Sequence, residues 1–318
     1  MTAAPAAPVP LYPRRRLLGS ASGGATSIRR GGRADVASSR PYRPGDHLRT
    51  IDWKASARAS SASNRDEFIV RERFNEETPA VVIVMDRRPG MALYPSDLPW
   101  LHKPRALHEV ARILVASALN HRALLAYLDF ASHPGFDPGT AFWQPPRAQA
   151  NVWREGLADR LETFLDDAFD APDDTVAQGL SFLGTVQSAV PIGSFVFVVS
   201  DFVAVTPNEL WAQAVARGWD VVPIIVQDPT WEQSFPEIEG VVVSIGDAQG
   251  ASSAGLRLSR SEVEERRQLN ESRLASRLRD FVQLGLDPIV VDDAAPERVH
   301  IALLEWANLR VATGRGAR

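Results

Sequence analysis

The hydrophobic pattern of the chain changes character near residue 79. Beyond it lie short continuous runs of β-branched and aromatic residues, which are typical of buried parallel strands, at 81–85, 124–130, 195–199, 221–226 and 288–291. Between these runs apolar residues recur every three or four positions, as in amphipathic helices, at 105–120, 208–217 and 263–284. This alternation predicts an α/β fold in which a mostly parallel central sheet carries helices on both faces.

Two segments interrupt the alternation of strand and helix. Residues 143–146, Trp-Gln-Pro-Pro, break it and predict a short strand at the edge of the sheet. Residues 238–258 place valines on either side of a Gly-Asp-Ala-Gln-Gly turn region. This second segment predicts a hairpin inserted before the long helix at 263–284.

The N-terminal part of the chain differs in composition from the rest. Residues 1–32 are rich in Ala, Pro, Gly, Ser and Arg with few large apolar residues, which predicts a flexible basic arm. Residues 33–74 are expected to form turns and short strands, with a tight turn at 44–46 and an exposed strand at 67–74. Residues 33–78 as a whole are expected to be an extension packed on the main domain. The main domain is expected over 79–310, and a flexible tail over 311–318.

Cysteine is absent from the chain, which excludes disulfides, thiolate nucleophiles and cysteine-bound zinc and agrees with a reducing compartment. The cytoplasm is therefore the expected location. The three arginines at 14–16 are not followed by the apolar segment that an export signal requires. The uninterrupted apolar runs have the length of strands, so we expect no transmembrane helix.

Charge is unevenly distributed along the chain. Residues 1–73 contain 14 Lys and Arg against 6 Asp and Glu, whereas the remainder contains 21 against 33. A basic N-terminal region invites a nucleic-acid interpretation, but the acidic residues among the arginines would repel phosphate, so we do not expect nucleic-acid binding. The only lysines are Lys54 and Lys103, and neither follows a glycine, which excludes a phosphate-binding loop of the Walker A type.

Acidic residues end two of the predicted strands. Asp86 follows the strand at 81–85, and Asp201 follows the strand at 195–199. In open parallel sheets ligands bind beyond the carboxyl ends of the strands, and Thr175, at a helix start, is expected at the same edge. Their oxygens are of the kind that Mg²⁺ prefers. Each residue also has a purely structural interpretation as a helix cap.

The most distinctive stretch is residues 40–58, where charge, turn residues and one tryptophan occur without a hydrophobic period. Its residues Tyr42-Arg43-Pro44-Gly45-Asp46, Arg49, Ile51-Asp52-Trp53-Lys54 and Ala57-Arg58 resemble the signature of the family catalogued as domain of unknown function 58. The strand endings Asp86-Arg87-Arg88-Pro89-Gly90 and Ser200-Asp201-Phe202 resemble those of a von Willebrand factor type A domain. The resemblance extends over residues 32–310.

The type A resemblance implies a metal-ion-dependent adhesion site, in which an Asp-x-Ser-x-Ser motif acts with a distant Thr and a distant Asp. Asp86, Thr175 and Asp201 match these roles, but Arg88 and Gly90 stand where the two serines should be. A guanidinium beside two carboxylates competes with a cation for the same place. We therefore expect Arg88 to pair with Asp86 or Asp201 and to block the site, with weak Mg²⁺ binding at most and no other cofactor.

The family resemblance implies an adaptor rather than an enzyme, because its members often accompany MoxR-type AAA+ ATPases and type A domains hold partner proteins. The expected partners are such an ATPase and a client protein that the sequence does not name. The common catalytic motifs are absent from the sequence. Two alternatives stay open, a metal-dependent phosphoester hydrolase at Asp86 and Asp201 and a nucleic-acid binder acting through the basic N-terminal region.

The signature stretch itself permits two interpretations. In the structural one, Arg43, Arg49 and Arg58 pair with Asp46, Asp52 or Glu72, and Trp53 anchors the segment on the main domain. In the functional one, the same residues form a docking surface, because Trp and Arg are frequent hot spots of interfaces. The residues concerned are Tyr42, Arg43, Asp46, Arg49, Asp52, Trp53, Lys54 and Arg58.

Overall fold

The computed structural model describes residues 7–13, 36–41, 51–63, 68–73, 80–93, 101–147, 168–238, 240, 242–246 and 253–313. It comprises two compact units, residues 1–14 with 80–318 and residues 15–79. Its strands, in chain order, are β1 (Val36–Pro41), β2 (Ile69–Arg73), β3 (Ala80–Met85), β4 (Leu124–Asp129), β5 (Phe142–Arg147), β6 (Phe195–Ser200), β7 (Asp220–Val226), β8 (Val242–Gly246), β9 (Ser253–Arg257) and β10 (Ile289–Val291). Its α-helices are α1 (Trp53–Ser63), α2 (Lys103–Asn120), α3 (Thr175–Thr185), α4 (Asn208–Ala216), α5 (Arg260–Gln283) and α6 (Pro296–Ala312).

The larger unit is built on a six-stranded sheet with the strand order β10-β7-β6-β3-β4-β5. The first five strands of that order are parallel, and β5 pairs antiparallel with β4 at the edge. The predicted fold class is therefore confirmed, as a mixed α/β domain with a mostly parallel sheet consistent with type A-like and Rossmann-like folds. The edge strand predicted at 143–146 is confirmed as well, by β5. Its two prolines are tolerated because the strand lies at the edge of the sheet.

Each central strand is buried on both faces, because its alternate side chains enter two different cores. Val81, Ile83 and Met85 of β3 point into the core shared with α2 and α6. Val82 and Val84 point into the opposite core, which α3, α4 and α5 cover. Every residue of β3 is buried, which explains why the strand has no polar alternation in the sequence.

Helix α3 approaches the sheet at a glycine. A Cβ atom built on Gly179 would lie 2.9 Å from Cγ1 of Val84, which is closer than side chains tolerate. The absence of a side chain at Gly179 therefore sets the distance between α3 and strand β3.

Residues 7–13 lie against the main domain, although the sequence places them within an arm expected to be flexible. Val9 and Leu11 are buried, and their backbone N–H groups donate to Ser117 Oγ at 2.8 Å and to His121 Nε2 at 3.1 Å. These two buried side chains and two hydrogen bonds hold the segment on α2, although its other residues are mainly prolines and alanines. The rest of residues 1–32 lies outside the described residues.

The amino edge of the sheet is fixed by a buried arginine of α6. Arg310 forms two parallel hydrogen bonds with Asp220, at 2.7 and 2.8 Å, where β7 begins. Its Nε lies 3.2 Å from Asp287, and Nη1 also donates to the carbonyl of Tyr12 at 2.9 Å. The guanidinium carbon lies 4.3 Å from the centre of the Trp306 ring. We refer to Arg310, Asp220 and Asp287 as the amino-edge cluster.

The hairpin predicted at 238–258 is confirmed by the antiparallel pairing of β8 with β9. Helix α5 follows it and begins three residues earlier than the apolar pattern indicates. Ser259 accepts a bond from the backbone of Glu262, and the Glu262 carboxylate accepts from the backbone of Ser259, which forms a capping box. Within the described residues, no helix combines the length and the apolar character needed to cross a bilayer.

The smaller unit pairs β1 with β2 in an antiparallel ribbon. The strand predicted at 67–74 is present as β2, but the prediction of turns and short strands at 33–74 missed helix α1, which occupies Trp53–Ser63. Asp52 accepts hydrogen bonds from the backbone N–H groups of Lys54 and Ala55, both at 3.1 Å, and so caps this helix. The alanine-rich composition of α1 favours a helix without an apolar stripe.

Candidate functional site

The pairing of β3 with β6 brings the two predicted carboxylates to one edge of the sheet. Met85 and Val199 are register partners, so Asp86 and Asp201 follow neighbouring strands at the carboxyl edge. The backbone N–H of Asp86 donates to the carbonyl of Val199 at 2.9 Å, which extends the pairing beyond both strands. Both aspartates are almost completely buried.

Arg88 lies between the two aspartates, as its expected pairing requires. Its Nε and Nη2 donate to Asp86 Oδ2 at 2.9 and 2.7 Å, and Nη2 also donates to Asp201 Oδ1 at 2.6 Å. The turn is closed by the backbone N–H of Arg88, which donates to Asp86 Oδ1 at 3.0 Å. The guanidinium therefore links β3 to β6 across the carboxyl edge.

A second cation and a third carboxylate, neither predicted from the sequence, complete the site. Lys103, the first residue of α2, is fully buried, and its Nζ donates to Asp201 Oδ2 at 3.1 Å and to the Glu232 carboxylate. It also donates to the carbonyl of Gly90 at 3.3 Å. The other oxygen of Glu232 accepts from the backbone N–H of Asp228 at 2.8 Å. We refer to Asp86, Arg88, Lys103, Asp201 and Glu232 as the carboxyl-edge cluster.

A hydroxyl and a strained backbone position support this cluster. Ser200 Oγ donates to Asp86 Oδ2 at 2.6 Å and accepts from the backbone N–H of Phe202 at 3.0 Å. Phe202 has a φ of 52°, a left-handed conformation that is costly for a bulky residue. Its buried ring packs between Trp211 and Phe281, with ring centres 5.8 and 5.2 Å away, and this packing holds the strained turn.

The cluster contains three carboxylates and two cations, and the pKa values of its members shift accordingly. Burial raises the pKa values of Glu232 and of Asp86, and the cations beside them only partly oppose this. Burial opposes the charge of Asp201 as well, but Lys103 and Arg88 lower its pKa. The carboxylates in turn raise the pKa of Lys103 against the effect of its burial. Both cations therefore stay charged, and burial disfavours ionisation most at Asp86 and Glu232, so the surplus carboxylate is one of these two.

Thr175, the third expected ligand, begins α3 and is buried, but it is not bonded to this cluster. Its Oγ1 has no hydrogen-bond partner among the described residues. Among the same residues, no group of three or more His, Asp or Glu side chains is arranged to hold a metal ion. The oxygens of Asp86 and Asp201 instead accept hydrogen bonds from the chain's own donors.

Arg87 belongs to a separate cluster, although it follows Asp86 directly. Its Nη1 lies 3.9 Å from Asp129 at the end of β4, and its guanidinium lies over the ring of Phe169 at 4.9 Å. Asp129 also contacts His133 Nε2 at 2.7 Å. The two consecutive arginines thus neutralise carboxylates at the ends of different strands.

The loop after β6 exposes apolar residues beside the carboxyl-edge cluster. The backbone N–H of Val203 donates to Asp201 Oδ1 at 3.0 Å, while its side chain is 39% exposed. Val205, two residues further, is 78% exposed. We refer to Val203 and Val205 as the rim valines.

The described part of the signature stretch lies in the smaller unit. Trp53 is 63% exposed and meets the ring of Phe68 edge to face, with ring centres 6.2 Å apart. Ser56 lies on the buried side of α1, where its hydroxyl accepts a hydrogen bond from the backbone N–H of Ile69 at 2.8 Å. Arg58 donates through Nε to the carbonyl of Lys54 at 3.3 Å. The other signature positions, Tyr42, Arg43, Asp46 and Arg49, lie outside the described residues.

A family model described as "Protein of unknown function DUF58" matches residues 38–278. The chain belongs to the DUF58 family. The match covers the signature helix α1 and both strand endings that form the carboxyl-edge cluster. Membership in DUF58 supplies no activity, so the function must be inferred from the geometry of this chain.

Two solved structures resemble this DUF58 chain. The conserved hypothetical protein BatB from Bacteroides thetaiotaomicron is 14% identical, with 74% of this chain and 99% of that chain covered and a TM-score of 0.39. An aerotolerance-related membrane protein from Bacteroides fragilis NCTC 9343, carrying multiple mutations to serine, is 16% identical, with 71% and 99% covered and a TM-score of 0.40. At these values neither similarity supports an argument about function. None of the curated proteins matches the chain.

Proposed function

We propose that this protein is a non-catalytic adaptor that works with a MoxR-type AAA+ ATPase in the assembly or maturation of a client protein. The ATPase partner follows from the family resemblance of the signature and strand endings. The geometry supports the non-catalytic part of the proposal and offers a surface on which a partner can dock. The absence of cysteine is consistent with our proposal that it acts in the cytoplasm.

The observation that carries this proposal is the internal neutralisation of the carboxyl-edge cluster. Asp86 accepts from Arg88 and Ser200, and Asp201 accepts from Arg88 and Lys103. Carboxylates held by these three side chains are poorly placed to activate water or to accept a proton from a substrate, because those oxygens already carry hydrogen bonds. The cluster is therefore better suited to fixing the shape of this edge than to catalysis.

In this proposal the cluster is a degenerate adhesion site of a type A-like domain. Arg88 stands in place of the first serine and puts its guanidinium where a cation would lie, and the Lys103 ammonium adds a second positive charge. For Mg²⁺ to bind here, the guanidinium and the ammonium would first have to leave the carboxylates, and this displacement is costly because the carboxylates are buried. Binding of Mg²⁺ would have to offset that cost, so any affinity of the native chain for Mg²⁺ is weak.

The docking face that we assign to the adaptor is the rim beside this cluster. Val203 and Val205 are exposed apolar residues next to a rigid charged network, an arrangement that favours a protein partner over a small molecule. The hydrolase alternative has less support because the donors named above occupy Asp86 and Asp201. The nucleic-acid alternative rests mainly on Arg14, Arg15 and Arg16, which lie outside the described residues.

A pull-down of a purified MoxR-type ATPase by the full chain tests the proposal under ATP, ADP and nucleotide-free conditions. We expect capture in at least one nucleotide state and at least a tenfold loss of capture for the double variant Val203→Asp/Val205→Asp. The matched control is Ile192→Asp, because Ile192 is 61% exposed just before β6 and therefore at the opposite edge of the sheet. No capture in any state would contradict the adaptor function.

A further inference from the structure

Helix α1 of the smaller unit presents a basic face to solvent. Lys54, Ala57, Arg58 and Ser61 recur at intervals of three and four residues, so they share one side of the helix, and all four are exposed. An open cavity of about 670 Å³ lies along this side, and among the described residues the same four line it. The small side chains of Ala57 and Ser61 leave room between and beyond the two cations.

Two exposed aromatic rings adjoin this basic face. Trp53 is 63% exposed and Phe68, just before β2, is 43% exposed. Their rings meet at an interplanar angle of 87°, so each ring restricts the orientation of the other. An exposed tryptophan held by a second ring is the kind of side chain that dominates interface energetics. We refer to Trp53, Lys54, Ala57, Arg58, Ser61 and Phe68 as the α1 patch.

The charges of the patch determine what kind of partner fits it. Within the described residues, neither Lys54 nor Arg58 forms an ion pair with a carboxylate. The nearest acidic residue of the helix, Asp52, accepts the first backbone N–H groups of α1 as its cap. The patch therefore offers two cationic side chains whose backbone positions lie one helical turn, about 6 Å, apart along the helix axis.

We propose that the α1 patch binds an acidic segment of a partner protein, with two carboxylates facing Lys54 and Arg58 and an apolar side chain against Trp53 and Phe68. Charge complementarity selects the acidic partner, and the rings supply the apolar contact. Exposed ion pairs alone contribute little to binding, so the aromatic contact carries a large part of the affinity. This surface goes beyond the adaptor proposal, because it is independent of the rim valines in the other unit.

Single-stranded nucleic acid is the competing ligand, because a base can stack on an exposed tryptophan while phosphates meet Lys and Arg. The two cations of the patch can neutralise roughly two phosphates at most, so the affinity for a nucleic acid would depend only weakly on salt concentration. Nucleic-acid binders of this kind line a groove with many more cations. The patch is therefore better matched to a segment with two carboxylates.

Fluorescence anisotropy with the full chain tests this proposal. The probe is a fluorescein-labelled ten-residue peptide with four glutamates around one phenylalanine, and the matched probe carries glutamine in place of every glutamate. We expect the acidic peptide to bind at least tenfold more tightly than the neutral one. We also expect Trp53→Ala and Lys54→Gln/Arg58→Gln each to weaken binding at least fivefold, with unchanged far-UV circular dichroism.

A charge-matched control separates the patch from general attraction between unlike charges. Arg260 and Arg279 are exposed on α5 in the other unit, so Arg260→Gln/Arg279→Gln removes the same charge at another place and is expected to leave binding unchanged. Equal losses for both double variants, or no binding of the acidic peptide by the native chain, would overturn the proposal. Tighter, patch-dependent binding of a fluorescein-labelled oligothymidine would overturn it in favour of nucleic acid. The variant Val203→Asp/Val205→Asp is expected to bind the peptide normally, which keeps this result separate from the adaptor test.

Discussion

The two edges of the central sheet carry buried arginines in contrasting surroundings. At the amino edge, Arg310 faces Asp220 and Asp287, and Trp306 covers its guanidinium. At the carboxyl edge, Arg88 shares its carboxylates with Lys103 and with the hydroxyl of Ser200. Among the described residues the amino-edge cluster contains one cation, Arg310, whereas the carboxyl-edge cluster has several donors that partly substitute for each other.

This difference separates a structural link from a candidate functional surface. The amino-edge cluster joins α6 to the start of β7 and is enclosed by residues 7–13 and α6. The carboxyl-edge cluster lies at a strained turn and beside exposed valines. Both clusters are buried and charged, so burial of charge alone does not identify the functional edge. The identifying features are the strained Phe202 and the exposed apolar rim.

The largest effect is expected from Arg310→Leu. Removing Arg310 takes away both hydrogen bonds to buried Asp220 and the contact with Asp287, which should lower the free energy of unfolding by about 4 kcal/mol. This decrease in the free energy of unfolding is measured by urea denaturation, followed by far-UV circular dichroism. In the control Arg298→Leu, an exposed pair with Asp293 is lost, and the change should stay below about 1 kcal/mol. Similar values for the two variants would contradict a structural role for the amino-edge cluster.

A smaller loss is expected from Arg88→Leu, although Arg88 bridges two carboxylates. Asp201 keeps Lys103, and Asp86 keeps the hydroxyl of Ser200, so we expect a decrease of about 3 kcal/mol in the same denaturation experiment. A loss greater than that of Arg310→Leu would remove the proposed difference between the two clusters.

Ser200→Ala tests the contribution of the supporting hydroxyl. It removes one donor to Asp86 and the acceptor for the backbone N–H of Phe202, which should lower the free energy of unfolding by about 1.5 kcal/mol. The control Ser272→Ala removes an exposed hydroxyl that bonds only within its own helix and should change stability by less than about 0.5 kcal/mol. No difference between the two serine variants would mean that Ser200 does not support the strained turn.

The smallest effect is expected for Glu232, a candidate for the surplus carboxylate, and it is a dependence of stability on pH. Because the folded pKa of Glu232 is raised above the ordinary value of 4.5, its contribution to stability is complete below that pH and is lost as the pH rises through the folded pKa. The stability difference between the native chain and Glu232→Gln should therefore shrink as the pH increases from 4.5, measured by urea denaturation across a pH series.

Glu262→Gln provides a control of opposite sign. Its bonds to Ser259 lower the pKa of Glu262, so its contribution is present above pH 4.5 and is lost as the pH falls through the folded pKa. If the stability differences of the two variants change with pH in the same direction, the raised pKa of Glu232 is contradicted.

The sequence was sufficient for the central sheet because its strands are buried on both faces and therefore appear as continuous apolar runs. It was also sufficient for the pairing of Arg88 with Asp86, since both belong to one short turn. It did not reveal α1, because that helix has no apolar stripe. The signal available was local, namely the Asp52 cap followed by an alanine-rich run.

Lys103 and Glu232 required the three-dimensional structure, because 129 residues separate them in the chain. A weak signal exists for Lys103, which continues the apolar face of α2 four residues before Leu107. A lysine on an apolar face must find buried partners, but the sequence does not name them. For Glu232 we find no sequence signal.

The central claim is that Arg88 and Lys103 take the place of a metal ion at the carboxyl edge. Isothermal titration of the native chain with Mg²⁺ and Mn²⁺ tests it most directly. The positive control is Arg88→Ser/Gly90→Ser, since a Cβ atom at residue 90 would meet only Asp201 Oδ2, at 3.9 Å. We predict no measurable binding by the native chain and a gain of binding by the double variant; clear micromolar binding by the native chain would contradict the claim.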